Sequence, residues 1–199
     1  MKYLLFAILN YLVGSIPWAL VIGKLFYNTD VRKYGSGNLG ATNVGRTLGK
    51  KAAIIVGLLD GLKGFIMFFI ESKISYDAAL YTVIFVAIGH CYPIFAGFKG
   101  GKAVATTFGI MLALSLGTFK SFFIGFLLPG IIWIIIKKTT KYVSLASLAA
   151  VLSSSLLTFL LLKKYDCGCV LLLIFTFVAY RHKDNIVRLI NGTENKSNY

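Results

Sequence analysis

The chain has 199 residues, of which 57% are hydrophobic, 15% aromatic and 14% charged, against about 25% charged in a soluble domain, so composition alone points to a membrane protein. Three cysteines exclude a disulfide framework, and glycines without a period of three exclude a collagen-like repeat. Twenty-one Lys and Arg against seven Asp and Glu give a net charge of +14, but the cations are scattered between apolar runs, which offers no basic face to a nucleic acid and reads as an orientation signal.

The first run, Tyr3 to Gly14, follows Lys2 as a secretory signal would. No small-x-small cleavage site follows, and apolar character continues through Pro17, Trp18 and Ile22, so it reads as an uncleaved span. Charge-poor runs then cover 3–23, 52–70, 78–98, 104–119, 121–136, 142–162 and 165–180. The two runs flanking Lys120 are short against the roughly 20 residues of a span. Merging them into one helix would put the basic segments 99–103 and 137–141 on opposite faces.

Seven spans with the N-terminus outside place fifteen cations inside: Lys24, Arg32, Lys33, Arg46, Lys50, Lys51, Lys99, Lys102, Lys137, Lys138, Lys141, Arg181, Lys183, Arg188 and Lys196. Lys2, Lys73, Lys120, Lys163 and Lys164 stay outside, which satisfies the positive-inside rule. The expectation is a single all-α domain over 1–199, a seven-transmembrane-helix bundle with a cytoplasmic C-terminus. Gly117 and Thr118 form a tight outer turn, and Pro129 kinks the fifth span.

Three glycine-rich polar segments interrupt the apolar pattern, and in this topology all emerge on the cytoplasmic side, which points to one composite site. The first, Tyr34-Gly-Ser-Gly-Asn-Leu-Gly-Ala-Thr-Asn-Val-Gly-Arg46, contains the GxGxxG spacing of dinucleotide folds. A membrane helix precedes it where that fold needs a strand. Two readings remain. Either the segment is a loop that caps a helix, or its glycines Gly35, Gly37 and Gly40 expose backbone N–H groups to an anion, with Ser36, Asn38, Thr42 and Asn43 as further donors and Arg46 as a planar fork for phosphate.

The second segment, Gly89-His-Cys-Tyr-Pro93 leading to Phe98-Lys-Gly-Gly-Lys-Ala-Val-Ala-Thr106, fails the Walker A template because Ala96 and Ala103 replace its first glycine and its magnesium-binding hydroxyl. Gly100, Gly101 and Lys102 can still hold a phosphate without metal; the alternative is that Lys99 and Lys102 only anchor the inner surface. In the third segment, Tyr180 to Glu194, His182 and Asn185 are three apart, so a helix continuing from the seventh span puts them on one face with Arg181 and Arg188 nearby.

Asp60 and Lys63 stand one turn apart in the second span, where a lone charge costs about 2.5–3.5 kcal/mol, so a structural ion pair is expected. His90 and Cys91 are adjacent and cannot share a helix face as a nucleophile pair; His90 is expected to brace the site. Cys167-Gly-Cys169 lacks the further ligands of a zinc site. Ser144, Ser147, Ser153, Ser154 and Ser155 read as close-packing residues, with Ser144 near enough to the inner face to touch a ligand.

Taken in order, the three segments resemble the signature of the bacterial acyl-phosphate:glycerol-3-phosphate acyltransferase family. The likeness rests on Gly35-Ser-Gly-Asn-x-Gly-Ala-Thr-Asn-Val-x-Arg46, on Gly89-His-x-x-Pro93 with Phe98-Lys-Gly-Gly-Lys102, and on Arg181-His-x-x-Asn-Ile-x-Arg188 through Gly192-Thr-Glu-Asn195. Ala103 departs from the glycine that this family usually has. The resemblance implies transfer of a fatty acyl group from acyl phosphate to the 1-hydroxyl of sn-glycerol 3-phosphate, giving lysophosphatidic acid and phosphate, in the bacterial inner membrane with the site facing the cytoplasm. It implies no metal or cofactor, contact with membrane lipid, and a soluble acyl-phosphate-producing enzyme as supplier.

The same resemblance assigns Arg46, Lys102 and both glycine loops to phosphate binding, and Ser36, His182 and Asn185 to orienting the attacking hydroxyl and the scissile carbonyl. Either His182 or a substrate phosphate takes the proton. Glu194 is expected to be structural, bonded to backbone or to Arg188. The competing class is a small transporter or channel for a phosphorylated anion.

Overall fold

The computed structural model describes residues 1–197; their regular secondary structure is all helical, and no strand occurs among them. Five helices are long and apolar enough to cross a membrane: Lys2–Tyr27, Lys50–Ile74, Tyr76–Ala96, Phe119–Thr140 and Val143–Leu160. Tyr165–Arg181 qualifies only together with Lys183–Ile190, across a 67° bend, and Val104–Ser115 is a shorter apolar helix. The chain is therefore a multi-pass membrane protein. Helix and apolar run do not coincide residue for residue in every expected span. The fourth run, for example, spends its last residues on the Gly117–Thr118 turn, leaving 12 helical residues.

Two compact units are present, Met1–Ile110 and the chain from Met111 onward. The first opens with α1 (Lys2–Gly14) and α2 (Trp18–Tyr27). Pro17 has no N–H and ends the helical ladder between them. The first unit continues with α3 (Ala41–Leu48), α4 (Lys50–Ile74), α5 (Tyr76–Thr82), α6 (Ile84–Cys91) and the first part of α7 (Val104–Ser115).

In α4 the usual helix polarity is inverted. Ala52, Val56, Asp60, Lys63, Gly64 and Glu71 are buried along one face, whereas Ile54, Ile55, Leu58, Leu62 and Ile70 are exposed. In hydrocarbon the exposed aliphatics are at no disadvantage, so small and polar groups collect on the protein side. A Cβ at Gly14 would strike the Val86 backbone, and one at Gly89 the Tyr11 carbonyl, so α1 and α6 touch backbone to backbone.

The second unit comprises α8 (Phe119–Phe122), a π-helical turn at Phe123–Leu127, α9 (Leu128–Thr140), α10 (Val143–Leu160), α11 (Tyr165–Arg181) and α12 (Lys183–Ile190). Gly117 takes φ +121°, and the Thr118 side chain accepts from the Ser121 N–H, forming the expected turn. At Pro129 the missing N–H deprives the carbonyl four residues back, Gly125, of its donor. Ser154 Oγ of α10 donates to that carbonyl at 2.7 Å, so the irregularity is a π-turn compensated from a neighbouring helix. Ser144, Ala146, Ser147, Ala150, Ser154 and Ser155 form a buried small-residue face on α10, the close packing its composition predicts.

Candidate active site

The first polar segment is built around Asn43. Its Oδ1 accepts from the Ser36 N–H at 2.8 Å, and its Nδ2 donates to the carbonyls of Val31 (3.0 Å) and Tyr34 (3.2 Å). Asn43 is 2% exposed. Its amide donors are thus spent on the shape of the loop, which corrects the expectation that they face an anion. Gly35 and Gly37 take φ of +57° and +66°, a region that costs other residues roughly 1–2 kcal/mol, and Gly37 N–H closes the turn onto Tyr34 O at 3.0 Å. Gly40 is the N-cap of α3, which carries Thr42 and, in its last turn, Arg46. Ser36 and Arg46 are exposed, and Asn38 and Thr42 are half-buried.

Before this loop, Asp30 caps the short 3-10 turn Val31–Lys33 and forms a two-pronged pair with Arg32, Nη2 to Oδ2 at 2.6 Å. The hydrogen bond from the Arg32 side chain holds the Asp30 carboxyl down to about 2 against a smaller opposing effect of burial.

The second segment folds back on the end of α6. A helix leaves its last carbonyls without donors, and Gly100 N–H donates to Cys91 O (3.1 Å) and Gly101 N–H to His90 O (3.0 Å). These two N–H groups therefore cap a helix and are not presented to an anion, a correction to the phosphate-cradle expectation. The glycines are needed for proximity: a Cβ at Gly100 would meet the His90 carbonyl, and one at Gly101 the His90 ring. Lys102 follows directly and is half-buried.

Ala103 is fully buried at φ +57°, a backbone conformation that glycine adopts without cost. Ala103→Gly is expected to raise the melting temperature in detergent by relieving about 1 kcal/mol of strain; a lowered melting temperature would contradict this.

In the third segment the helix does not run straight through. It breaks at His182, between α11 and α12, so His182 and Asn185 are not on one continuous helix face as expected. His182 is 4% exposed, and its backbone N–H (3.0 Å) and ring Nδ1 (2.8 Å) both bond to the Val178 carbonyl. A carbonyl only accepts, so Nδ1 carries a proton and Nε2 of the neutral ring is an acceptor.

After α12, Gly192 at φ +69° reverses the chain. Its N–H bonds to Leu189 O and that of Thr193 to Arg188 O, the Schellman arrangement. The reversal brings Glu194 under the helix, where Oε1 accepts from Asn185 Nδ2 (2.6 Å) and Ser144 Oγ (2.8 Å) and Oε2 pairs with Arg188 Nε (2.8 Å). Burial pushes the Glu194 carboxyl up, but the hydrogen bonds from Asn185, Ser144 and Arg188 outweigh it and hold the group below the ordinary carboxylate range.

Three candidate site residues thus converge on Glu194, whose bond to Arg188 was expected and whose role as their common acceptor was not. Two further features were missed. The expected Asp60–Lys63 pair forms at 2.9 Å but includes His90, and Asn10 bonds to Glu71 (2.9 Å) and Thr82 (3.2 Å) inside the first unit. The helical spacing of 60, 63 and 71 is the signal that places these charges on one face.

Fold and polar segments together define a multi-pass helical membrane protein whose glycine-rich loops carry arginine, lysine and histidine. A profile of the glycerol-3-phosphate acyltransferase family matches residues 4–192. The chain is 46% identical over its full length to glycerol-3-phosphate acyltransferase 2 of Thermotoga maritima, covering 98% of that protein. It is 44% identical over 97% of its length to the glycerol-3-phosphate acyltransferase of Listeria welshimeri, covering 96% of it. The crystal structure of PlsY (YgiH), an integral membrane glycerol 3-phosphate acyltransferase, superposes in its glycerol 3-phosphate form with a TM-score of 0.89 at 39% identity, covering 99% of this chain and 96% of that one. Its lysophosphatidic acid form gives 0.87 at 39% identity, covering 98% and 95%. The chain belongs to the glycerol-3-phosphate acyltransferase family.

Proposed function

We propose that the chain transfers a fatty acyl group from acyl phosphate to the 1-hydroxyl of sn-glycerol 3-phosphate at the cytoplasmic face of the bacterial inner membrane. It is an acyltransferase that acylates glycerol 3-phosphate to lysophosphatidic acid. The observation carrying this is full-length likeness to a protein solved with glycerol 3-phosphate and with lysophosphatidic acid. In the topology we favour, Val104–Ser115 and Tyr165–Arg181 complete seven spans with the N-terminus outside, as the cation distribution supports.

Acyl phosphate is a mixed anhydride whose phosphate leaves readily, so the 1-hydroxyl attacks the carbonyl directly: the new ester C–O bond forms, the C–O bond to phosphate breaks, and the hydroxyl proton passes to a base. Positioning and charge neutralisation then supply most of the rate. Arg46 and Lys102 are assigned to phosphate oxygens, with Ser36, Gly37, Asn38, Gly40 and Thr42 shaping the surroundings of Arg46. Ser36 and Asn185 orient the hydroxyl and the carbonyl. The acceptor character of His182 Nε2 supports His182 as the base. Ser144 and Arg188 support Asn185 through Glu194. A soluble enzyme that makes acyl phosphate is the expected supplier, and the fatty chain lies in membrane lipid.

Purified protein in detergent, given acyl phosphate and labelled glycerol 3-phosphate, is expected to form labelled lysophosphatidic acid. A transporter or channel forms none without a compartment, so absence of product overturns this reading.

A further inference from the structure

A second charged cluster lies outside the residues assigned above. Lys63 Nζ is 2.9 Å from Asp60 Oδ1, 2.9 Å from His90 Nδ1, 2.9 Å from Gly14 O and 3.3 Å from Ile16 O. Asp60, Lys63 and His90 are 2%, 5% and 7% exposed, and charges at this depth are costly unless paired.

Part of the arrangement is structural. The break at Pro17 removes the helical donor to Gly14 O, and the Lys63 ammonium replaces it, which fastens the end of α1 to α4. The rest points toward the second glycine loop. Lys63 Nζ at 2.9 Å and Asp60 Oδ1 at 3.3 Å both approach His90 Nδ1 and hold that edge of the ring. Nε2 in turn occupies the space that a Cβ on Gly101 would need. The ring, bonded at Nδ1, has no freedom to swing aside, and the His90 carbonyl also accepts the Gly101 N–H. His90 therefore contacts Gly101 through both its ring and its backbone, one residue before Lys102.

We propose that Asp60, Lys63 and His90 are positioning residues: they lock the His90 ring against Gly101 and so set where Lys102 presents its ammonium. This rests on the assignment of Lys102 to substrate phosphate. The pair fixes the ring, the ring fixes the turn, and the turn fixes the lysine.

The test is a coupling measurement on the purified enzyme, reading KM for glycerol 3-phosphate and kcat separately, with melting temperature in parallel. Gly101→Ala is expected to raise KM about tenfold with little change in kcat, because its new Cβ meets a ring that cannot yield. In a His90→Ala background, where that ring is gone, the same substitution is expected to cost less than about threefold. The paired variant Asp60→Asn with Lys63→Met, which frees the ring without leaving one charge unpaired, is expected to shrink the cost in the same way. If His90→Ala does not fold, His90→Asn keeps a polar group facing Lys63 while removing the ring atoms at Gly101, and it carries the same comparison.

An equal KM penalty for Gly101→Ala in all backgrounds, or none in the wild type, overturns the proposal. Lys102→Met is measured beside these variants: an unchanged KM overturns the phosphate assignment itself. A raised KM for Lys102→Met together with an uncoupled Gly101→Ala overturns only the positioning device.

Discussion

Glu194→Ala is expected to lower the stability of the protein by about 3 kcal/mol and its melting temperature by about 6–12 °C. The loss comes from the groups left behind. Asn185 and Ser144 are 8% and 6% exposed, and each would lose a buried charged acceptor, at roughly 1–3 kcal/mol apiece. The Arg188 side chain is 38% exposed, so the severed ion pair adds little, because water screens the guanidinium. Glu194→Gln keeps the shape and one acceptor oxygen, and about half the loss is expected. Activity falls with both, since Asn185 loses its fixed orientation.

The same carboxylate makes a pH prediction. Its folded-state pKa lies below that of an unconstrained glutamate, so its contribution is complete above the ordinary range near 4.3 and disappears as pH falls through the lowered folded value. Melting temperature is expected to hold from neutral pH down to about 5 and then drop, and Glu194→Gln is expected to lessen that acid drop. A variant as acid-sensitive as the parent would assign the drop to other carboxylates.

His182→Ala is expected to lower kcat by about a hundredfold or more, the usual contribution of a general base, with KM for glycerol 3-phosphate changed much less. The bond from Nδ1 to Val178 O makes Nε2 the acceptor, and burial keeps bulk water from serving in its place. His182→Gln restores polarity but no titratable nitrogen, so it is expected to resemble the alanine variant. Near-normal turnover at saturating substrates would remove His182 as the base and move the proton to a substrate phosphate.

The helices themselves were legible because apolar runs of 16 to 21 residues separated by cations admit few alternatives in a bilayer. Five of the seven expected spans have helices that meet the requirement for crossing a membrane alone, and the turn at Gly117 and Thr118 follows from its residues. Pro129 announces an irregularity, but not its form, because Ser154, which satisfies the orphaned Gly125 carbonyl, is 25 residues away. Asp60 and Lys63 announce a pair by spacing alone. His90 as third member does not follow from spacing, since nothing local brings α6 to α4.

The polar segments divide along the same line. Their residue types, glycines beside serine, asparagine, lysine and arginine, are a property of the chain itself, and so is the family they belong to. How each donor is used is decided by the neighbours that folding supplies. Asn43 turns inward to its own loop, and the N–H groups of Gly100 and Gly101 cap α6. Glu194 reaches Ser144, fifty residues away, because Gly192 reverses the chain. Backbone hydrogen bonds and steric limits act over a few residues, so composition and spacing determine helices, turns and the chemistry on offer. Which donors remain for a ligand depends on contacts between distant segments, and those exist only in the folded protein.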